Sequence, residues 1–212
     1  MMAYSARLKG GEEKLPGVVV IHENRGLNDH IRDVARRAAL EGLWAIAQNG
    51  LPLGGTPDDE DEARDMIVQL DREKTRDDFV AAVIYLAGHD RCTGKVGCVG
   101  FCWGGGVANQ LAVHAKDLDA SVPFYGSQAS AEDVPKIDVP LMLHYGEKDE
   151  RINAGIEAYE AALKGAEKEY SIYVCEGANH AFHNDTSKAR YDEAATTLAW
   201  GRTIGFFEEK LR

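Results

Sequence analysis

Hydrophobic and polar positions follow two different periodicities along this chain, and the two predict strands and helices in turn. Short runs rich in Val, Ile and Leu predict buried strands, whereas apolar residues spaced three and four apart predict helices. The strand-like runs cover residues 4–8 (weakly), 18–21, 43–47, 96–99, 120–125, 139–145 and 170–174. The helical spacing covers residues 28–41, 58–70, 76–87, 107–114, 153–163 and 187–210.

The order of these elements indicates the fold class. Strands alternate with helices along the chain, and several strands are apolar at consecutive positions, which is typical of strands buried on both faces. We therefore predict an α/β fold with a mainly parallel sheet and helices on both faces. No repeat or linker divides the chain, so we predict a single domain over residues 1–212.

Glycines and prolines in residues 51–62 predict a loop over the active-site edge, followed by a helix start.

A cysteine lies in a tight turn between one of these strands and a helix. Residues 100–105 read Gly-Phe-Cys-Trp-Gly-Gly, and a nucleophile flanked by glycines in this setting is the nucleophile elbow of α/β-hydrolases. The free N–H groups at the start of the helix favour a thiolate or an oxyanion there. We predict that the chain is an enzyme with Cys102 as its nucleophile. Most free cysteines are buried and inert, which is our interpretation of Cys92, Cys98 and Cys175.

Two later strand ends carry an acid and a base. Asp149 follows the strand at 139–145, and His180 lies in the loop after the strand at 170–174. The order of nucleophile, acid and base is that of α/β-hydrolases, and open parallel sheets carry their sites at this edge. We expect His180 to take the thiol proton and Asp149 to orient the imidazole. The backbone N–H of Trp103 is the expected oxyanion donor.

Five segments of the chain together carry a family resemblance. They are residues 16–23 (Pro-Gly-Val-Val-Val-Ile-His-Glu), 26–28 (Gly-Leu-Asn), 100–105, 146–149 (Gly-Glu-Lys-Asp) and 179–182 (Asn-His-Ala-Phe). In these segments the chain resembles the dienelactone hydrolase (carboxymethylenebutenolidase-like) family of the α/β-hydrolase superfamily. The resemblance spans nearly the whole chain and implies an α/β-hydrolase fold and a thiol hydrolase. Such an enzyme opens lactones or cleaves small carboxylic esters through a thioester acyl-enzyme, without a cofactor.

The resemblance also implies roles near the thiol. Glu23 is expected beside Cys102, where it helps to convert the thiol to a thiolate when substrate binds. Asn24 is expected to supply the second oxyanion N–H. Tyr125 ends a strand at the same sheet edge, where it either lines the pocket or belongs to the core.

One feature departs from the family pattern. Family members that cleave dienelactone hold the substrate carboxylate with arginines, one of them shortly after the catalytic histidine. Here Ala-Phe-His-Asn follows His180, and the next arginine is Arg190. Arg25, His183 and Arg64 are the candidate replacements for binding substrate. Two alternatives stay open: a broad short-chain carboxylesterase without dienelactone activity, and a non-catalytic small-molecule binding protein on the same fold.

Composition narrows the classes of partner. The chain has 212 residues, of which 44% are hydrophobic, and a net charge of −11. That charge argues against nucleic acid, whose binding needs clustered Lys and Arg. No apolar run reaches membrane-spanning length, and no secretory signal is visible, so we expect a cytoplasmic protein with no membrane partner. The four cysteines have neither disulfide nor zinc-ligand spacing, and we expect no metal. We expect a monomer or homodimer.

Overall fold

The computed structural model describes residues 2–10, 13–52 and 55–212. Residues 53 and 54, within the predicted loop, lie outside that part. The strands are β1 (Ala3–Ala6), β2 (Leu15–Ile21), β3 (Trp44–Gln48), β4 (Cys92–Phe101), β5 (Ala120–Phe124), β6 (Leu141–Gly146) and β7 (Tyr170–Cys175). The helices are α1 (Asp29–Leu40), α2 (Glu60–Val68), α3 (Arg72–Ala87), α4 (Trp103–His114), α5 (Glu150–Asn153), α6 (Ile156–Gly165) and α7 (Glu193–Leu211).

The strands form one sheet in the order β1-β3-β2-β4-β5-β6-β7. Strand β1 pairs antiparallel with β3, and all the other pairs are parallel. The predicted α/β class with a mainly parallel sheet is therefore confirmed. The carboxyl ends of β2, β4, β5 and β6 meet at one edge, where an open parallel sheet carries its site.

Helices cover both faces of this sheet. In β2, Val18 and Val20 pack into the cluster that includes residues of α1 and α7. The alternate residues Val19 and Ile21 pack into the cluster that includes residues of α3 and α4. Because successive strand side chains point to opposite faces, burial on both faces explains why this strand is apolar at consecutive positions.

Several helix boundaries differ from prediction. Helix α3 begins at Arg72 because the Asp71 side chain accepts a hydrogen bond from the backbone N–H of Lys74. Helix α7 begins only at Glu193, after Asp192 caps its first turn. The helix predicted over residues 153–163 corresponds to α6, and the short helix α5 precedes it. Aspartate N-caps, which satisfy free N–H groups, define the starts of α3 and α7 more sharply than the apolar spacing does.

None of the helices in the described ranges combines the length and the apolar character that crossing a membrane requires.

Candidate active site

The turn from β4 to α4 holds Cys102 in an uncommon backbone conformation. Its φ is 54°, a region that residues with a side chain rarely adopt. The Cys102 backbone N–H donates to the Phe124 carbonyl at 3.0 Å. A Cβ on Gly100 would lie 2.0 Å from the Gly104 carbonyl oxygen, and one on Gly105 would lie 2.4 Å from the Phe124 carbonyl oxygen. The tight packing of backbone around the cysteine therefore requires glycine at these positions.

Three predicted residues meet at this edge of the sheet. His180 Nε2 lies 3.0 Å from Cys102 Sγ, and His180 Nδ1 contacts Asp149 Oδ2. Asp149 is buried, and its other carboxylate oxygen accepts a bond from the Ile152 N–H at the start of α5. Residues following β4, β6 and β7 thus form one connected chain of side-chain contacts. This arrangement can move a proton from the thiol to the imidazole.

Burial keeps the candidate nucleophile in its thiol form. Burial and the nearby charge of Glu23 raise the pKa of Cys102 to about 11. The Trp103 backbone N–H, which bonds to the sulfur, and the charge of Arg151 act in the opposite direction. At neutral pH the resting cysteine is consequently protonated and weakly nucleophilic.

Glu23 follows β2 and is buried. Its two carboxylate oxygens accept hydrogen bonds from Tyr125 Oη at 3.3 Å and from Asn184 Nδ2 at 2.6 Å. Burial raises the pKa of Glu23, and these two bonds oppose the rise. Tyr125 has a φ of 37° and lines the same cavity as Cys102. It also packs edge-on to His180, with ring centroids 5.1 Å apart.

The expected oxyanion donors lie at this cavity. Both Asn24 and Trp103 line it. The Trp103 indole stacks on the His22 ring, with centroids 4.9 Å apart and an interplanar angle of 12°. His22 Nε2 in turn accepts a hydrogen bond from the Gly50 N–H at 2.9 Å. The stacked rings therefore connect the start of α4 to the loop that follows β2.

Two of the predicted substrate-binding residues lie elsewhere. His183 is fully buried against the rings of Phe101 and Trp200, and it is not among the residues that line the cavity of Cys102. Arg25 lines a separate cavity of about 650 Å³ and pairs with Glu60 at 3.3 Å. Its charge also acts on Glu23, and its role in binding substrate stays a prediction.

The cavity beside Cys102 contains residues that the sequence analysis missed. It has a volume of about 1070 Å³. Arg64, a predicted candidate, lines it together with Arg72, Arg76 and Arg151. Arg151 comes two residues after Asp149, in the short helix α5. Its position two residues after the predicted acid Asp149 was the one feature of the sequence that could have placed Arg151 near the site. Asn184 gave no signal, because nothing in its sequence context indicates contact with Glu23.

The chain is similar to known proteins over nearly its whole length. The sequence model described as "Dienelactone hydrolase family" matches residues 1–211. A Salmonella typhimurium protein named "Putative carboxymethylenebutenolidase" is 31% identical over 224 residues, spanning 99% of this chain and 83% of its own. A Bradyrhizobium protein named "Probable 2-oxo-3-(5-oxofuran-2-ylidene)propanoate lactonase" is 31% identical over 206 residues, spanning 90% and 82%.

Among solved structures, a "Putative Dienelactone Hydrolase" from Klebsiella pneumoniae superposes with a TM-score of 0.88 at 29% identity. The match covers 97% of this chain and 92% of that one. The family resemblance in the sequence and the predicted α/β-hydrolase fold are thereby confirmed, and the chain is a hydrolase of the ester and lactone class. It belongs to the dienelactone hydrolase family.

Proposed function

We propose that the chain hydrolyses small lactones or carboxylic esters with Cys102 as nucleophile, His180 as base and Asp149 as the acid that orients the base. The observation that carries this proposal is a continuous chain of side-chain contacts. Cys102 Sγ lies 3.0 Å from His180 Nε2, and His180 Nδ1 contacts the Asp149 carboxylate. The names of the relatives, a carboxymethylenebutenolidase and a lactonase, support a lactone as substrate.

Acylation begins when the thiol loses its proton to His180 Nε2 and the sulfur attacks the carbonyl carbon. The carbonyl electron pair moves to the oxygen, where the N–H groups of Trp103 and Asn24 stabilise the negative charge. As the carbonyl re-forms, the bond to the alkoxide breaks, and the alkoxide takes the proton from His180. The product is a thioester on Cys102. When the substrate is a lactone, the released hydroxyl stays on the acyl chain.

Deacylation repeats these steps with water. His180 accepts a proton from the water as its oxygen attacks the thioester carbonyl, and the carbon–sulfur bond then breaks. The thiolate recovers its proton from His180, and the carboxylic acid leaves. Asp149 stabilises the imidazolium in both halves of the cycle.

Glu23 tunes the reactivity of the thiol in this proposal. In the resting site its carboxyl is held by Tyr125 and Asn184, and its charge helps to keep the pKa of Cys102 at about 11. The thiol is therefore spared side reactions when no substrate is present. Binding of substrate that moves this charge away from the sulfur lowers the pKa of the thiol and promotes transfer of its proton to His180.

One observation favours a second candidate, a short-chain carboxylesterase without dienelactone activity. The loop after His180 has no arginine before Arg190, and the amide of Asn184 in this loop is bonded to Glu23. Residues 181–187 therefore offer no arginine or lysine to hold a substrate carboxylate. A simple neutral ester needs no such cation.

Steady-state hydrolysis of dienelactone and of p-nitrophenyl acetate separates these functions. We compare the wild type with Cys102→Ala and use Cys92→Ala as the control, since Cys92 is buried at the opposite end of β4. Turnover of dienelactone that is lost only in Cys102→Ala supports the lactonase. Turnover of the simple ester alone identifies the esterase. Turnover of neither substrate favours the non-catalytic binding protein and overturns the proposal.

A further inference from the structure

A short segment of the loop after β7, residues 183–185, connects Glu23 to helix α1. Asn184 Nδ2 donates a hydrogen bond to the Glu23 carboxylate at 2.6 Å. The backbone N–H of the preceding residue hydrogen-bonds to the Tyr125 hydroxyl, which itself donates to Glu23 at 3.3 Å. The residue that follows, Asp185, contacts two side chains of α1. This segment therefore holds both hydrogen-bond partners of the Glu23 carboxylate.

The Asn184 amide presents its N–H to Glu23 because its oxygen is already bonded within the loop. Asn184 Oδ1 accepts hydrogen bonds from the Thr186 backbone N–H at 3.1 Å and from Thr186 Oγ1 at 2.6 Å. A flip of the amide would break both bonds and place its oxygen against a carboxylate oxygen. The direction of this donor is thus fixed by the loop, and its distance from Glu23 depends on where the loop is held.

Asp185 holds the loop against α1 at two points. Its Oδ1 accepts a hydrogen bond from His30 Nδ1 at 3.1 Å, and its Oδ2 contacts Arg37 Nη2. Burial lowers the pKa of His30, so the neutral ring donates its one proton from Nδ1, and Nε2 has no partner within the described residues. Burial alone would raise the pKa of Asp185, but the hydrogen bond and the charge of Arg37 lower it. The carboxylate is therefore charged and bonded to a buried donor and a cation, a stronger contact than a neutral hydrogen bond.

The part of the loop nearer to His180 is held separately. Phe182 is fully buried, and its carbonyl accepts a hydrogen bond from Thr196 Oγ1, in α7, at 2.9 Å. Loss of the contacts with α1 should therefore release Asn184 and leave His180 in place.

We propose that Asp185 is a positioning residue that acts through Asn184 on Glu23. By holding the loop on α1, Asp185 keeps the Asn184 amide against the Glu23 carboxylate and thus keeps this charge near the Cys102 thiol. The resting thiol is consequently less reactive than it would be with the loop released. The inference rests on the proposed function for the importance of the thiol, whereas the contacts that carry it are independent of any reaction.

Release of the loop should change two pKa values in turn. Burial raises the pKa of Glu23, and the bonds from Asn184 and Tyr125 oppose the rise because they stabilise the charged form. Without these bonds a larger fraction of Glu23 is uncharged. The pKa of Cys102, which burial and the charge of Glu23 raise to about 11, should then fall. The other charges that act on the two groups are those of Arg190 and Arg25 on Glu23 and those of Arg151 and Asp149 on Cys102.

Alkylation of Cys102 by iodoacetamide, followed against pH on the peptide that carries this cysteine, tests the inference. A fall of about 0.5 in the thiol pKa increases the thiolate, and hence the rate at any pH well below the pKa, by about threefold. We expect an increase of this size for Asp185→Asn and a smaller one for Arg37→Gln, a milder change in α1. Asp33→Asn is the matched control and should leave the rate unchanged, because in the part of the chain that the structure describes Asp33 pairs with arginines of α1 alone.

The same substitution in a Glu23→Gln background separates positioning from a general loosening of the site. Once the charge of Glu23 is removed, Asp185→Asn should have no further effect on alkylation, whereas a looser site would react faster in both backgrounds. Wild-type rates for both Asp185→Asn and Arg37→Gln overturn the inference, as does an increase that persists in Glu23→Gln.

Alkylation needs no turnover, so the inference and the proposed function fail separately. If the wild type hydrolyses neither dienelactone nor p-nitrophenyl acetate but the Glu23-dependent increase is observed, hydrolysis fails and the role of Asp185 holds. If an ester is hydrolysed and no Glu23-dependent increase is observed, hydrolysis stands and the role of Asp185 is wrong.

Discussion

Replacing Gly104 with alanine tests the packing that positions the nucleophile. A Cβ at this position would lie 2.4 Å from the His22 carbonyl oxygen and 2.5 Å from the Ile21 carbonyl oxygen. Ordinary van der Waals contact needs at least 3.4 Å, so the start of α4 and the end of β2 must separate by roughly 1 Å. Both obstacles are backbone atoms, which cannot rotate away as a side chain does. Overpacking of this kind costs about 1–3 kcal/mol of unfolding free energy.

The same movement should lower activity. The end of β2 leads to Asn24 and the start of α4 carries Trp103, so the clash pushes apart the two proposed oxyanion donors. A displacement of about 1 Å in a catalytic group lowers the rate by about 100-fold. We therefore expect Gly104→Ala to lose both stability and kcat/KM, measured by urea unfolding and by hydrolysis of p-nitrophenyl acetate.

Gly201→Ala is the matched control. Gly201 is exposed in α7, and a Cβ there meets nothing within 4 Å. Alanine at a helix position of this kind stabilises by about 0.5–1 kcal/mol and should leave activity unchanged. If Gly104→Ala unfolds at the same urea concentration as the wild type and retains full activity, the account of the elbow packing is wrong.

Three further predictions concern titration. Glu23→Gln should lower the pKa of the Cys102 thiol from about 11, because the charge that opposes the thiolate is removed; an unchanged pH profile of alkylation by iodoacetamide would count against this role. Arg151→Gln should raise the same pKa and slow alkylation at a fixed pH, and equal rates would show that its charge does not reach the sulfur. Burial lowers the pKa of His22 to about 4 and of His144 to about 3, so both stay neutral in the fold while the unfolded chain takes up protons below pH 6.5. Stability should then fall by about 1.4 kcal/mol per histidine per pH unit below 6.5 until those pKa values are reached, and equal urea midpoints at pH 7 and 5.5 would refute it.

The fold and the contact between Cys102, His180 and Asp149 were predictable because the sequence patterns that indicate them are local. Burial of β2 on both faces appears directly as consecutive valines. The elbow appears as glycines flanking Cys102, since strain in one tight turn must be relieved by neighbours in sequence. The proximity of Asp149 and His180 was predictable because each follows a strand, and parallel strands bring their carboxyl ends to one edge.

The residues that line the cavity around Cys102 were not predictable, because the lining depends on the direction of side chains in loops. His183 and Asn184 are adjacent, yet one packs against Phe101 in the core and the other bonds to Glu23. No periodicity specifies which way such residues point. The arginines Arg72 and Arg151 belong to different helices, and only the packed structure brings both to the cavity beside Cys102.

Detection of an acyl group on Cys102 tests the central claim most directly. We would mix the protein with p-nitrophenyl acetate, quench in acid during turnover, and locate the added mass by peptide mass spectrometry. The account predicts an acetyl group on the peptide that carries Cys102, accompanied by a burst of p-nitrophenol and absent from Cys102→Ala. Turnover without any adduct on that cysteine, or turnover that survives Cys102→Ala, would contradict it.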